Sequence, residues 1–204
     1  MFSIIVYNKA NIKKRNLILT NNEEFKDQQS KERINIAKRV ATTGILIPIG
    51  LILSYINPFA YFTIIVTKIN PFAHFINSIS GVLIGLSFST ITALGIATLR
   101  FSLGIGTIHA FHGGISGAIV VGLISFILRR KTDKHVDYAA FFEPLGTIFI
   151  GGTIAYFIAP LGTVLSGLSF YWGLFAASSI PGSIMGFLTL KMLDRAGISW
   201  KDFF

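Results

Sequence analysis

At about 150 residues per domain, a chain of 204 residues holds one domain or one and a half, which excludes a large multidomain enzyme. Its formal charge of +9 comes from 18 Lys and Arg against 9 Asp and Glu, but positions 40–128 carry only Lys68 and Arg100, and positions 144–190 carry no charge. A water-soluble fold needs polar surface around every part of its chain, so an ordinary soluble domain is excluded, and the absence of cysteine excludes disulfide and thiol chemistry.

Residues 1–34 are basic and rich in Asn and Lys. Their apolar run at 2–7 is shorter than the roughly 7 to 15 residues of a secretory signal core. This segment is expected to be a solvated cytoplasmic tail, with a short amphipathic helix on anionic lipid as the alternative. Residues 35–204 are expected to form the membrane domain. Apolar residues make up 52% of the chain, mean hydropathy is +0.66, and the apolar runs approach the roughly 17 to 25 residues that a bilayer requires.

Six spans are predicted, at 35–56, 72–87, 88–103, 108–128, 140–160 and 169–191. The second and third are short and tightly joined around 85–88. Segment 57–71 contains an apolar stretch bracketed by Pro58 and Pro71 and reads as a re-entrant or capping loop. Six crossings with both termini cytoplasmic collect every Lys and Arg except Lys68 and Arg100 on the inner side, as the positive-inside rule requires. The fold class is therefore an all-α integral membrane protein, a six-helix bundle. Basic clusters that flank apolar runs argue against a nucleic-acid face.

Small residues recur at four-residue spacing: Ala37 and Ala41, Gly81 and Gly85, Ala93 and Ala97, Gly113 and Gly117, Gly151 with Ala155 and Ala159, and Gly182 and Gly186. Such rows let helices approach closely in lipid, and internal packing accounts for most of them. Ala37 and Ala41, at the mouth of the first span beside Lys38 and Arg39, are accessible to a partner.

Polar side chains inside spans are costly and mark functional positions. His74 and Asn77 on the second span, Arg100 on the third, and His109 and His112 on the fourth are predicted at one outer depth, with Tyr156, Tyr171 and Trp172 alongside. Together they are expected to form a pocket open to the outside for a small heteroaromatic solute. Glu143, beside Pro144, is expected to cap the fifth helix on the cytoplasmic side.

The stretch 100–118, RFSLGIGTIHAFHGGISGA, resembles the ThiW family, whose pattern is close to R-x-x-L-G-x-G-T-x-x-A-F-P-G-S-x-x-G-A. Arg100, Leu103, Gly104, Gly106, Thr107, Ala110, Phe111, Gly113, Gly117 and Ala118 stand at matching positions. PFAHFIN at 71–77 and EPLGTIFIGGTIAY at 143–156 are similar to two further family segments. His112 stands where the family has proline, Gly114 where it has serine, and His109 where it has an apolar residue.

The resemblance implies a substrate-capturing S component of an energy-coupling factor (ECF) importer that takes up hydroxyethylthiazole, a thiamin precursor. It adds Gly106 and Thr107 to the expected binding set. It also implies a transmembrane T component docked on Ala37 and Ala41, and two partner ATPases. The chain has no Walker A pattern and no cofactor of its own, so ATP hydrolysis falls to those partners.

Two other functions are weighed. An S component for another vitamin, or for nickel or cobalt, is the first; the metal would use His74, His109 and His112, although the chain lacks the N-terminal histidine of known examples. A rhomboid-like serine protease would use Ser116 in Gly114-Ile115-Ser116-Gly117, but no histidine follows His135 to supply the base from a later helix.

Overall fold

The computed structural model describes the backbone of residues 2–58, 63–64, 67–132, 134–158 and 167–204, and side chains from residue 23 onward within these ranges, the two short strands excepted. Six helical segments make up the body: α1 (Phe2–Tyr55), α2 (Pro71–Leu83), α3 (Gly85–Ser102), α4 (His109–Lys131), α5 (Val136–Ile158) and α6 (Leu168–Arg195). A short antiparallel ladder, β1 (Thr63–Ile64) with β2 (Thr67–Lys68), lies between α1 and α2, and a 3-10 turn covers Trp200–Phe203. Among the described residues, Glu23–Tyr55 of α1, α4, α5 and α6 are long and apolar enough to cross a membrane.

α2 is the axis of the bundle. Its 13 residues span only about 20 Å, less than the ~30 Å of a hydrocarbon core, yet nearly all of its side chains are buried. α1, α3, α4, α5 and α6 all pack against it. Pro71 starts α2 at a position that needs no N–H partner. The helix stops at Ile84, and Gly85 turns the chain into α3 with φ of +80°, a conformation glycine adopts without a Cβ penalty. The break thus falls at the near edge of the predicted junction, and α3 begins earlier than expected.

Backbones meet where the small residues lie. A Cβ on Gly117 of α4 would collide with the Glu143 carboxylate, and one on Gly146 of α5 would come within 2.5 Å of the Ser116 carbonyl oxygen. Gly182 of α6 lies so close to the Pro71 carbonyl that no side chain fits. These contacts fasten α4 to α5 and α6 to α2. Ala93, Ala97 and Ala155 are also buried, whereas Ala37 and Ala41 are exposed; Ala159 lies outside the described residues.

The basic end gathers both extremities of the bundle. Lys38 Nζ and Arg39 Nε donate to the Asp202 and Phe203 carbonyls at 2.9 and 2.6 Å. The guanidinium carbons of Arg39 and Arg129 lie 3.5 and 3.9 Å from the centre of the Phe204 ring. Helix α1 continues back through the segment expected to be a tail, and its side chains at 23–34 are exposed.

At the opposite end, Asn57 Nδ2 donates to the Ile69 carbonyl at 2.7 Å and closes the stem of the predicted capping loop. Positions 59–62 and 65–66 of that loop lie outside the described residues.

Replacing Gly117 with alanine forces a methyl into the Glu143 carboxylate. We expect a loss of about 1–3 kcal/mol, read as a lower unfolding temperature in detergent. Gly173→Ala, at an open position, should leave that temperature unchanged.

Candidate functional site

The site is built on one buried carboxylate. Glu143 has no solvent exposure, and its Oε1 accepts from three side chains on two helices: His74 Nδ1 at 2.7 Å, Thr147 Oγ1 at 2.8 Å and Asn77 Nδ2 at 3.2 Å. Asn77 also donates to the Gly114 carbonyl at 2.8 Å, and Thr147 Oγ1 lies 3.1 Å from that of Gly113. This contact orients the imidazole, with Nδ1 directed at Glu143.

Glu143 therefore does not cap a helix at the basic end. The helical chain begins at Val136, so residue 143 lies two turns inside it, level with His74. From Gly146 to Gly151 the turns widen to π geometry, which keeps Thr147 on the carboxylate while the glycines press against α4.

A cavity of about 120 Å³ opens beside His74. Its wall combines Asn70, Ala73 and His74 of the α2 start, Arg100, the loop Gly104-Ile105-Gly106-Thr107, His109, Ala110, Gly113 and Gly114 of α4, and Leu174, Phe175 and Ser178 of α6. Three lining residues hold a buried polar atom with no partner in the protein: Asn70 Oδ1, Arg100 Nε and His109 Nδ1. Native interiors rarely leave such atoms unsatisfied. The other polar atoms of Asn70 are engaged: its side-chain nitrogen donates to Ser54 Oγ at 2.9 Å, and its amide donates to Ser178 Oγ at 3.1 Å.

His74, Arg100, Gly106, Thr107 and His109, all predicted from sequence, border this one cavity. The other predicted residues do not. Asn77 lies behind the wall on Glu143 and Gly114. His112 contacts His109 edge-on, with ring centres 6.1 Å apart, and its Nε2 is buried without a partner. Tyr171 is fully buried between His109 and Tyr156, at 6.2 and 5.7 Å, so the two tyrosines back the wall rather than face the cavity. Trp172 turns away to donate to Thr153 Oγ1 at 3.1 Å and packs on Phe149.

Asn70, Ser178 and Phe175 were not anticipated. Asn70 precedes Pro71 and reads as a loop residue, while Ser178 and Phe175 lie seven and four residues after Tyr171 on the same buried stripe.

The geometry also bears on the alternatives. Ser116 Oγ donates to carbonyls of its own helix, His112 at 2.6 Å and Gly113 at 3.2 Å. Among the described residues, no group of three or more His, Cys, Asp and Glu side chains is placed to hold a metal ion.

Comparison with known families gives one finding: the model for ThiW, thiamine-precursor transporter protein, matches residues 40–196. No curated protein and no solved structure matches the chain.

Removing the Glu143 side chain leaves His74 Nδ1 without its acceptor in a buried place. We expect Glu143→Ala to cost roughly 1–3 kcal/mol and Glu143→Gln, which keeps an acceptor oxygen, to cost less, both measured as thermal unfolding in detergent.

Proposed function

Because the chain belongs to the ThiW family of thiamine-precursor transporter proteins, a family of multi-pass cell-membrane proteins, we propose that it is the solute-capturing S component of an energy-coupling factor importer. Its six helices cross the membrane with both termini cytoplasmic, residues 1–34 forming an appended basic segment and 35–204 the membrane domain. The cavity faces outward and receives a solute built on 4-methyl-5-(2-hydroxyethyl)thiazole.

One observation carries this reading. Three unpartnered polar atoms, Asn70 Oδ1, Arg100 Nε and His109 Nδ1, converge with His74 on a cavity walled by Phe175 and Leu174. A small ring with a few polar substituents satisfies all of them at once, with apolar contact from the wall and orientation from the polar atoms. Arg100 and His74 serve the solute's oxygen and ring nitrogen, Gly106 and Thr107 complete the rim, and His112, Tyr156, Tyr171, Trp172 and Asn77 hold the lining residues in place.

Delivery needs partners. Exposed Ala37 and Ala41 offer α1 a flat strip where a T-component helix can approach closely. Two ATPases bound to that component hydrolyse ATP, since the sequence of this chain has no Walker A pattern.

Calorimetry on the purified protein is expected to show saturable binding of the thiazole alcohol and at least tenfold weaker binding for His74→Ala, about 1.4 kcal/mol or more. Absence of thiazole binding, with tight binding of nickel or of an unrelated solute, removes this assignment. Ala41→Leu is expected to abolish uptake by cells and recovery of the T component with the protein, while solute binding persists.

A further inference from the structure

We propose that the cavity contains an oxyanion site centred on Arg100, so that the thiazole it takes carries a phosphoryl or carboxylate group on its side chain. The inference rests on the solute-capture reading and makes it more specific.

Among the described residues, no carboxylate forms an ion pair with Arg100. The arginine is only 8% exposed, and its Nε has no partner. The sequence supplies no Asp or Glu from position 33 to 132. Of the described acids that follow, Asp137 pairs with Lys191 at 2.6 Å, Asp194 and Asp202 lie at the basic end, and Glu143 turns Oε1 to His74, Thr147 and Asn77 while its buried Oε2 makes no hydrogen bond to Arg100. Burying a guanidinium is favourable only with compensation, and a charge on the solute supplies it.

The backbone around Arg100 is arranged for the same purpose. Gly104 adopts φ of +68°, and the amides of Ile105 and Gly106 both donate to the Arg100 carbonyl, at 2.9 and 3.0 Å. This fold-back brings Gly106 against the arginine: a Cβ there would lie 3.4 Å from Nε. The loop then enters the first turn of α4, a helix of 23 residues that starts at the cavity wall. Among the described residues, no backbone carbonyl accepts from the amides of Thr107, Ile108 or His109. A helix N-terminus with free amides beside a buried, unpaired guanidinium is a site for a planar or tetrahedral oxyanion. Asn70 Oδ1, an acceptor, and His74 are left for the remainder of the solute.

The test compares four probes on the purified full chain by calorimetry: the thiazole alcohol, its phosphate monoester, the corresponding thiazole acetic acid, and inorganic phosphate. We expect one of the two anionic thiazoles to bind at least tenfold tighter than the alcohol, and which one it is distinguishes phosphoryl from carboxylate recognition. In Arg100→Gln the ratio of alcohol to anion affinity should fall to about one, with Arg100→Lys retaining part of the preference. An alcohol bound as tightly as both anions, or tighter, overturns the oxyanion site and leaves the solute-capture reading intact. Binding of no thiazole overturns both, and a preference that survives in Arg100→Gln moves the site away from this arginine. If Arg100→Gln does not fold, the wild-type comparison alone decides.

Discussion

A carboxylate with no access to solvent, held by an imidazole 2.7 Å away, is the constraint around which this bundle is arranged. Glu143 can sit at the centre of an apolar protein only if donors reach it, and they come from the axial helix α2 and from its own helix α5. Gly117 is what lets α4 pass close beside the pair, because any side chain at that position would occupy the carboxylate's place. Burial of the carboxyl group, the glycine rows and the orientation of His74 are consequences of one another. An imidazole fixed in this way borders the cavity in one orientation, which a freely rotating histidine at the same depth does not.

The sequence made much of this legible, though unevenly. Charge-free runs and flanking cations identify a membrane helical bundle because a bilayer imposes those patterns on any chain. The repeated glycines and alanines foretell close helix contacts, and all the described members of those rows except Ala37 and Ala41 are used inside the molecule or at its tight turn. Within the cavity, His74, Arg100 and His109 are visible from sequence since each is a polar residue at a depth where polarity is expensive.

Sequence reasoning failed where function depends on helix phase and on distant pairing. Glu143-Pro144 looks like a helix start, and only the 3-10 and π turns on either side of it reveal a helix already under way. Asn77 shares a face with His74, but the carboxylate draws its amide inward behind the wall. Tyr156, Tyr171 and Trp172 face neighbours other than the cavity, because the direction of a side chain follows from what packs beside it rather than from its position along the chain.

At the other end of the molecule the guanidinium carbons of Arg39 and Arg129 both lie over the ring of Phe204, at 3.5 and 3.9 Å from its centre. Two like charges are thereby both attracted to the π-electrons of one aromatic ring. Phe204 is thus an electrostatic contact shared by Arg39 of α1 and Arg129 at the end of α4. The accessible alanine strip begins two residues before Arg39, and α4 begins, 20 residues before Arg129, at the cavity wall. Any leverage applied to α1 at that strip thus reaches the helix whose first turn borders the cavity by way of Phe204 as well as through the packing of both helices on α2 and α3.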